Sequence, residues 1–123
     1  MKSIKGIGTD IVEVERLRSV IKRKGEAFLE KIFTENERKY CLKFKDSTIH
    51  LAARFAAKEA IAKALGTGFG KDLSFLDIEI TNDEKGKPIC ILSKEIKKKF
   101  SNPEIFISIT HTNAVTIAFV IYQ

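Results

Sequence analysis

The chain has 123 residues and a mass of 13.9 kDa, room for a single domain over 1–123 with one core. Hydrophobic residues make up 44% and charged residues 31%, which excludes a disordered tail. No run approaches the roughly 18 apolar residues of a membrane span, and the opening Met1–Gly6 lacks the apolar stretch of a signal peptide.

Two cysteines, Cys41 and Cys90, make no disulfide scaffold and have no metal-ligand spacing, so a reducing, cytoplasmic setting without a membrane partner is expected. The net charge of +6 is unevenly spread. Residues 16–45 carry ten basic side chains against four acidic ones, and the rest of the chain is nearly balanced. A local basic face and an acidic partner for it follow.

Residues 4–12 alternate loosely around Ile4, Ile7, Ile11 and Val12 and predict a strand interrupted by glycines. From Glu13 to Lys24 the spacing of Val14, Leu17, Val20 and Ile21 is helical, and Gly25 ends it. Residues 26–33 predict a second short helix. Thr34, with Glu37 three residues on, predicts a capping box opening a helix to about Phe44.

Asp46 or Ser47 caps a long alanine-rich helix over 48–65, and Gly66, Gly68 and Gly70 break it into a ligand-facing loop. Residues 75–81 alternate strictly and predict a strand, with a turn at 82–87 and a hairpin mate at 88–92. Ser93 caps a lysine-rich helix to about Phe100, and 105–111 and 114–121 predict two further strands. The fold class is α+β, an antiparallel sheet packed against a long α-helix.

Three places break the rules of a plain core. In Gly6-Ile7-Gly8-Thr9-Asp10, an aspartate sits in a strand beside two glycines, as if something must approach the backbone; the bland reading is a strand end with a bulge. In 54–63, Arg54, Lys58, Glu59 and Lys63 lie on an alanine-rich helix where charge is costly unless it meets a metal or an anion; the bland reading is a solvated face with a Glu59–Lys63 pair. In Ser108-Ile109-Thr110-His111-Thr112, a histidine ends a strand among hydroxyls, more often a structural role than a catalytic one. Asp10 and Glu59 are two hard oxygen ligands from distant segments, the way Mg2+ is held with phosphate oxygens and water, and Lys58, Lys63 and His111 would complement phosphate charge.

At these residues the sequence resembles the holo-acyl-carrier-protein synthase family, the small 4'-phosphopantetheinyl transferases of bacterial fatty-acid synthesis. Gly-Ile-Gly-Thr-Asp-Ile at 6–11, Arg-Phe-Ala-Ala-Lys-Glu-Ala-Ile-Ala-Lys-Ala-Leu-Gly-Thr-Gly at 54–68 and Ser-Ile-Thr-His-Thr at 108–112 look like the family's motifs, in order and over a matching length. His50-Leu51-Ala52-Ala53 departs from it, where an aromatic and a glycine are usual at the first and last positions.

The resemblance implies the 4'-phosphopantetheinyl transferase fold, a homotrimer with sites between subunits, and transfer of phosphopantetheine from coenzyme A to a serine of apo acyl carrier protein with release of 3',5'-ADP. It implies Asp10 and Glu59 as ligands of Mg2+, with Mn2+ as a substitute. Glu59, Lys63 and His111 are implied in catalysis. Arg54, Lys58, Gly66, Gly68, Gly70, His111 and Thr112 are implied to line the coenzyme, and Arg16 and Lys22 to dock the acidic carrier. A basic nucleic-acid-binding domain is the rival, but it leaves Asp10 and Glu59 unexplained and lacks aromatics interleaved with the basic run. An inactive scaffold with Glu59–Lys63 as a mere ion pair is the third reading.

Overall fold

The computed structural model describes residues 2–123. The elements in chain order are β1 (Gly6–Glu13), α1 (Val14–Lys24), α2 (Glu26–Ile32), α3 (Glu35–Cys41), α4 (Ser47–Leu65), β2 (Ile78–Asn82), β3 (Pro88–Leu92), α5 (Lys94–Lys99), β4 (Ile105–His111) and β5 (Val115–Tyr122). The strands form two antiparallel sheets rather than one: β1-β5-β4, and the hairpin β2-β3. Asp10 pairs with Ala118, and His111 with Thr116. α4 packs on the three-stranded sheet and fills the centre of the core, with Leu51, Ala52, Ala56, Ala57, Ala60 and Ile61 all at most 1% exposed.

The two glycines of β1 explain how close the strand and α4 come. A Cβ on Gly6 would stand 1.9 Å from the Ala64 carbonyl oxygen, and one on Gly8 1.8 Å from that of Ala60. The approach expected at Gly6 and Gly8 is therefore made by the helix backbone, and not by a ligand. Strand alternation then turns Asp10 and Val12 to the same side as Gly6 and Gly8, toward α4, while Ile7, Thr9 and Ile11 face out.

The local signals explain most of the remaining elements. Thr34 and Glu37 form the reciprocal capping box, and the Asp46 carboxylate accepts from the Thr48 N–H to cap α4. Gly66 ends α4 in the left-handed region at φ 82°, and its N–H reaches the Ala62 and Lys63 carbonyls. The helix after Thr34 stops at Cys41, short of Phe44.

The strand expected over 75–81 begins only at Ile78, because Phe75–Asp77 form a 3-10 turn. Asp77 is the cause: its carboxylate accepts from the Ser74 N–H (2.9 Å) and from the Ser93 hydroxyl (2.8 Å). These bonds tie the turn to its own start and to the cap of α5, in place of a strand ladder.

Candidate active site

α4 is buried on nearly every side, and one stripe is open. Phe55, Glu59 and Lys63, spaced four apart, are the partly or fully exposed positions between Arg54 and Leu65. The stripe faces the Asp10 end of β1. Lys63 Nζ donates to the Thr9 carbonyl (2.9 Å) and to Asp10 Oδ1 (3.1 Å). Burial pushes the Glu59 carboxyl above the ordinary carboxylate range, the negative charge of Asp10 pushes it further, and Lys63 opposes both. A cavity of about 450 Å³ opens on this pair, with Arg16, Phe28 and Phe55 among its walls. Asp10, Glu59, Lys63 and Arg16 thus converge, although they come from β1, α4 and α1.

Lys58, the neighbour of Glu59, points the other way. Its side chain is fully buried and its Nζ lies 2.6 Å from Glu37 Oε1. It also donates to the carbonyls of Ile32 (2.8 Å) and Phe75 (3.0 Å). Burial lowers its pKa, against the pull of Glu37. Glu37 in turn accepts from the N–H of Thr34 (2.9 Å) and of Ile80 (2.8 Å). The expectation that Lys58 lines a coenzyme site is corrected: all three of its donors are used inside the core, where it joins α2, α3, α4 and the turn before β2.

A second cluster forms around Arg54. This residue is 5% exposed, donates from Nη2 to Asn82 Oδ1 (2.9 Å), and lays its guanidinium over the Tyr40 ring at 4.3 Å. Its Nε is buried without a hydrogen-bond partner among the described residues. His111 is exposed at the end of β4, and its charge reaches His50 on α4, as does that of Arg54. Thr112 is exposed as well, but its Oγ1 accepts from the N–H groups of Ala114 and Val115, both at 3.1 Å, and so shapes the hairpin tip.

Gly66, Gly68 and Gly70 are exposed, with φ of 82°, 63° and 156°, and no atom lies near where their Cβ would be. The loop they form is tied back by an aromatic stack. Phe69 lies 3.7 Å from Phe75, and Phe75 5.8 Å from Phe55 on the cavity wall.

On α1, Arg18 bonds both oxygens of Asp46 and also Glu15, so it belongs to the fold. Arg16, Lys22, Arg23 and Lys24 are exposed, with no carboxylate in ion-pair range among the described residues. Burial raises the thiol pKa of Cys41 to about 11 and of Cys90 to about 12, so both stay protonated fillers. The walls Phe28 and Phe55 and the pair Tyr40 and Phe44 were not singled out from sequence, and His50 stood out only as a departure from the family's motif. The four-residue spacing of Phe55 with Glu59, and of Tyr40 with Phe44, is the signal that carried them.

No helix is long and apolar enough to cross a membrane among the described residues. A family model described as the 4'-phosphopantetheinyl transferase superfamily matches residues 6–119. The holo-[acyl-carrier-protein] synthase of Protochlamydia amoebophila is 49% identical over 118 residues, covering 96% of this chain and 97% of its own. The structure of a holo-(acyl-carrier-protein) synthase from Bacillus anthracis in complex with CoA (3',5'-ADP) matches with a TM-score of 0.83 at 44% identity, over 97% of this chain and 96% of its own. That of the Helicobacter pylori holo-[acyl-carrier-protein] synthase in complex with coenzyme A matches with a TM-score of 0.86 at 41% identity, over 95% and 99%. By family model, relatives and fold alike, the chain belongs to the 4'-phosphopantetheinyl transferase superfamily.

Proposed function

We propose that this protein transfers 4'-phosphopantetheine from coenzyme A to a serine of apo acyl carrier protein and releases 3',5'-ADP, serving fatty-acid synthesis in the cytoplasm. The observation that carries the reading is the Asp10–Glu59 pair, with Lys63 on it, at the mouth of a cavity that also holds Arg16. The relatives named for this reaction, two of them solved with the coenzyme, support it.

Asp10 and Glu59 fit a hard divalent cation. They are oxygen donors close enough that the charge of Asp10 raises the Glu59 pKa, and a bound cation relieves that repulsion. Two carboxylates suit Mg2+, which keeps several waters and takes phosphate oxygens, and Mn2+ shares the preference. When bound, Mg2+ offsets the charge that builds on the pyrophosphate as its bridging P–O bond breaks.

The chain's own residues do the rest. The carrier serine Oγ attacks the phosphorus on the pantetheine side. The new O–P bond forms as the bond to 3',5'-ADP breaks, and the electron pair leaves on the ADP oxygen. Glu59, beside the attacking hydroxyl, receives the serine proton. Lys63, half exposed, holds the transferring phosphoryl oxygens. Arg54, His111, Thr112 and the 66–70 loop line the coenzyme. Arg16 and Lys22 meet the acidic carrier, with Arg16 reaching the cavity wall so that docking brings the serine to the carboxylates.

A homotrimer belongs to the same reading. The outer face of the three-stranded sheet exposes Ile7, Ile11, Phe106, Ile117 and Phe119, each at least 40% accessible. Such an apolar face suits burial against further copies of the chain in a closed ring. Incubation with apo carrier, coenzyme A and Mg2+ tests the function: the carrier should gain the mass of one phosphopantetheine. No gain with either Mg2+ or Mn2+ refutes it.

A further inference from the structure

His50 lies half-buried on α4 in a stack that fixes its ring. It lies flat on Phe44, with centroids 3.7 Å apart and planes at 19°, and edge-on to Tyr40 at 6.4 Å. Arg54 lies nine-tenths buried over the same Tyr40 ring, with an Nε–H that has no acceptor among the described residues. A buried donor without an acceptor is costly, and an anion is its natural partner.

The charges that bear on His50 come from every element around it. Arg54 lies on its own helix, His111 on β4, and Asp46 just before α4. Tyr40 on α3 packs against it, with the Lys43 ammonium 6.0 Å from the Tyr40 ring. Asp46 is the carboxylate among these, and both its oxygens accept from Arg18, at 2.9 and 3.0 Å. The field at His50 is therefore short of negative charge. Burial, then Arg54 and His111, hold its imidazole below the ordinary histidine range, so it is neutral near pH 7.

We infer that His50 is a third wall of a phosphate subsite shared with Arg54 and His111, and that its imidazole takes up a proton when a phosphate group of coenzyme A enters. This rests on the coenzyme reading above. A phosphate anion supplies the acceptor that Arg54 Nε lacks and reverses the sign of the field at His50. The stack on Phe44 and Tyr40 holds the ring beside it. Variants at His50 place the proton on its imidazole.

Calorimetric titration with coenzyme A, in two buffers of different ionisation enthalpy, measures the proton. The same titration is run on His50→Phe, which keeps the stack, and on His50→Gln, which keeps a polar group. Wild type should take up as much as one proton near neutral pH, with affinity rising by up to about tenfold per pH unit as pH falls from 8 toward 6.5. Both variants should lose the uptake and the slope while melting as wild type does. Dephospho-coenzyme A tells which phosphate fills the subsite: uptake lost means the terminal monoester, and uptake kept means the pyrophosphate. The same uptake in His50→Phe as in wild type overturns the inference with the coenzyme reading intact. No coenzyme binding by wild type overturns that reading itself, and this inference with it.

Discussion

Gly8→Ala is a one-carbon change that tests whether the β1–α4 contact sets the site. The added Cβ would lie 1.8 Å from the Ala60 carbonyl oxygen, 2.8 Å from its carbon and 2.9 Å from the Ala64 nitrogen. All three are backbone atoms of a buried helix, so no side chain can swing aside. Strand and helix must part by roughly 1.5 Å to restore ordinary contact, in an interior packed like a crystal. The cost should be about 3 kcal/mol, the upper range of overpacking, and a fall in Tm of roughly 10 °C. The activity should fall further than the stability does. Asp10 lies two residues along β1, and Glu59 is next to Ala60 on α4, so the parting is between the two carboxylates themselves. A misplacement near 1 Å costs on the order of a hundredfold in rate.

Urea denaturation gives the first number, and carrier modification at a temperature where the variant is still folded gives the second. Gly68→Ala is the control for the stability measurement alone. Its φ is +63° but no atom lies within 4 Å, so it should cost only about 1–2 kcal/mol of backbone strain. A Gly8→Ala protein within about 0.5 kcal/mol of wild type and fully active would refute the reasoning.

The other predictions concern charge. Glu59 has a folded-state pKa above its unfolded value, so the folded protein holds that proton more tightly. The resulting stability is present below the unfolded pKa, about 4.3, and is lost as pH rises through the folded pKa. Glu59→Gln should therefore raise Tm near pH 7, with the gain shrinking as pH falls through the folded pKa and gone by about pH 4, and should remove the Tm increase expected of Mg2+ on wild type; a lower Tm at pH 7 would contradict this. Lys58→Met leaves Glu37 charged in the core without its partner and should cost about 3–5 kcal/mol by urea denaturation, whereas a cost under 1 kcal/mol would mean the pair is not buried as described. Arg16→Glu with Lys22→Glu should raise the carrier KM at least tenfold, remove much of its salt dependence and leave coenzyme A binding unchanged; unaltered carrier kinetics would remove α1 from the docking surface.

Signals that act within a few residues of one another were legible in the sequence. The Thr34–Glu37 box, the Gly66 stop of α4 and the alternation of 105–111 all formed as their local chemistry dictates. Where the sequence misled, a distant partner decided. Phe75–Asp77 alternates as a strand does, yet Asp77 is claimed by Ser74 and by Ser93, sixteen residues on. Lys58 looked like a phosphate ligand because it stands beside Glu59, but adjacent helix residues point about 100° apart. It shares its side with Arg54, Ile61 and Leu65, all buried, and its partner Glu37 lies 21 positions upstream on another helix. The spacing of 54, 58, 61 and 65 held that information. Gly6 and Gly8 announced a close approach, but only the packed structure shows that α4 is what approaches.

The basic excess of residues 16–45 also divides once the fold is known. Arg18 is bound by Asp46 and Glu15, and Lys39 pairs with Glu35, while Arg16, Lys22, Arg23 and Lys24 stay open to solvent. The docking face proposed for the carrier is thus narrowed to α1, next to the cavity rather than spread over the whole basic segment.

If β1 and α4 bring Asp10 and Glu59 together as the reactive centre, turnover needs both carboxylates. Mg2+-dependent phosphopantetheinylation of apo carrier, followed by mass, is measured for wild type, Asp10→Ala and Glu59→Ala, with Tm measured on the same proteins without Mg2+. Wild type should convert the carrier fully, and each variant should lose at least a hundredfold in rate with Tm at or above that of wild type. Metal-dependent turnover undiminished in either folded variant would contradict the account.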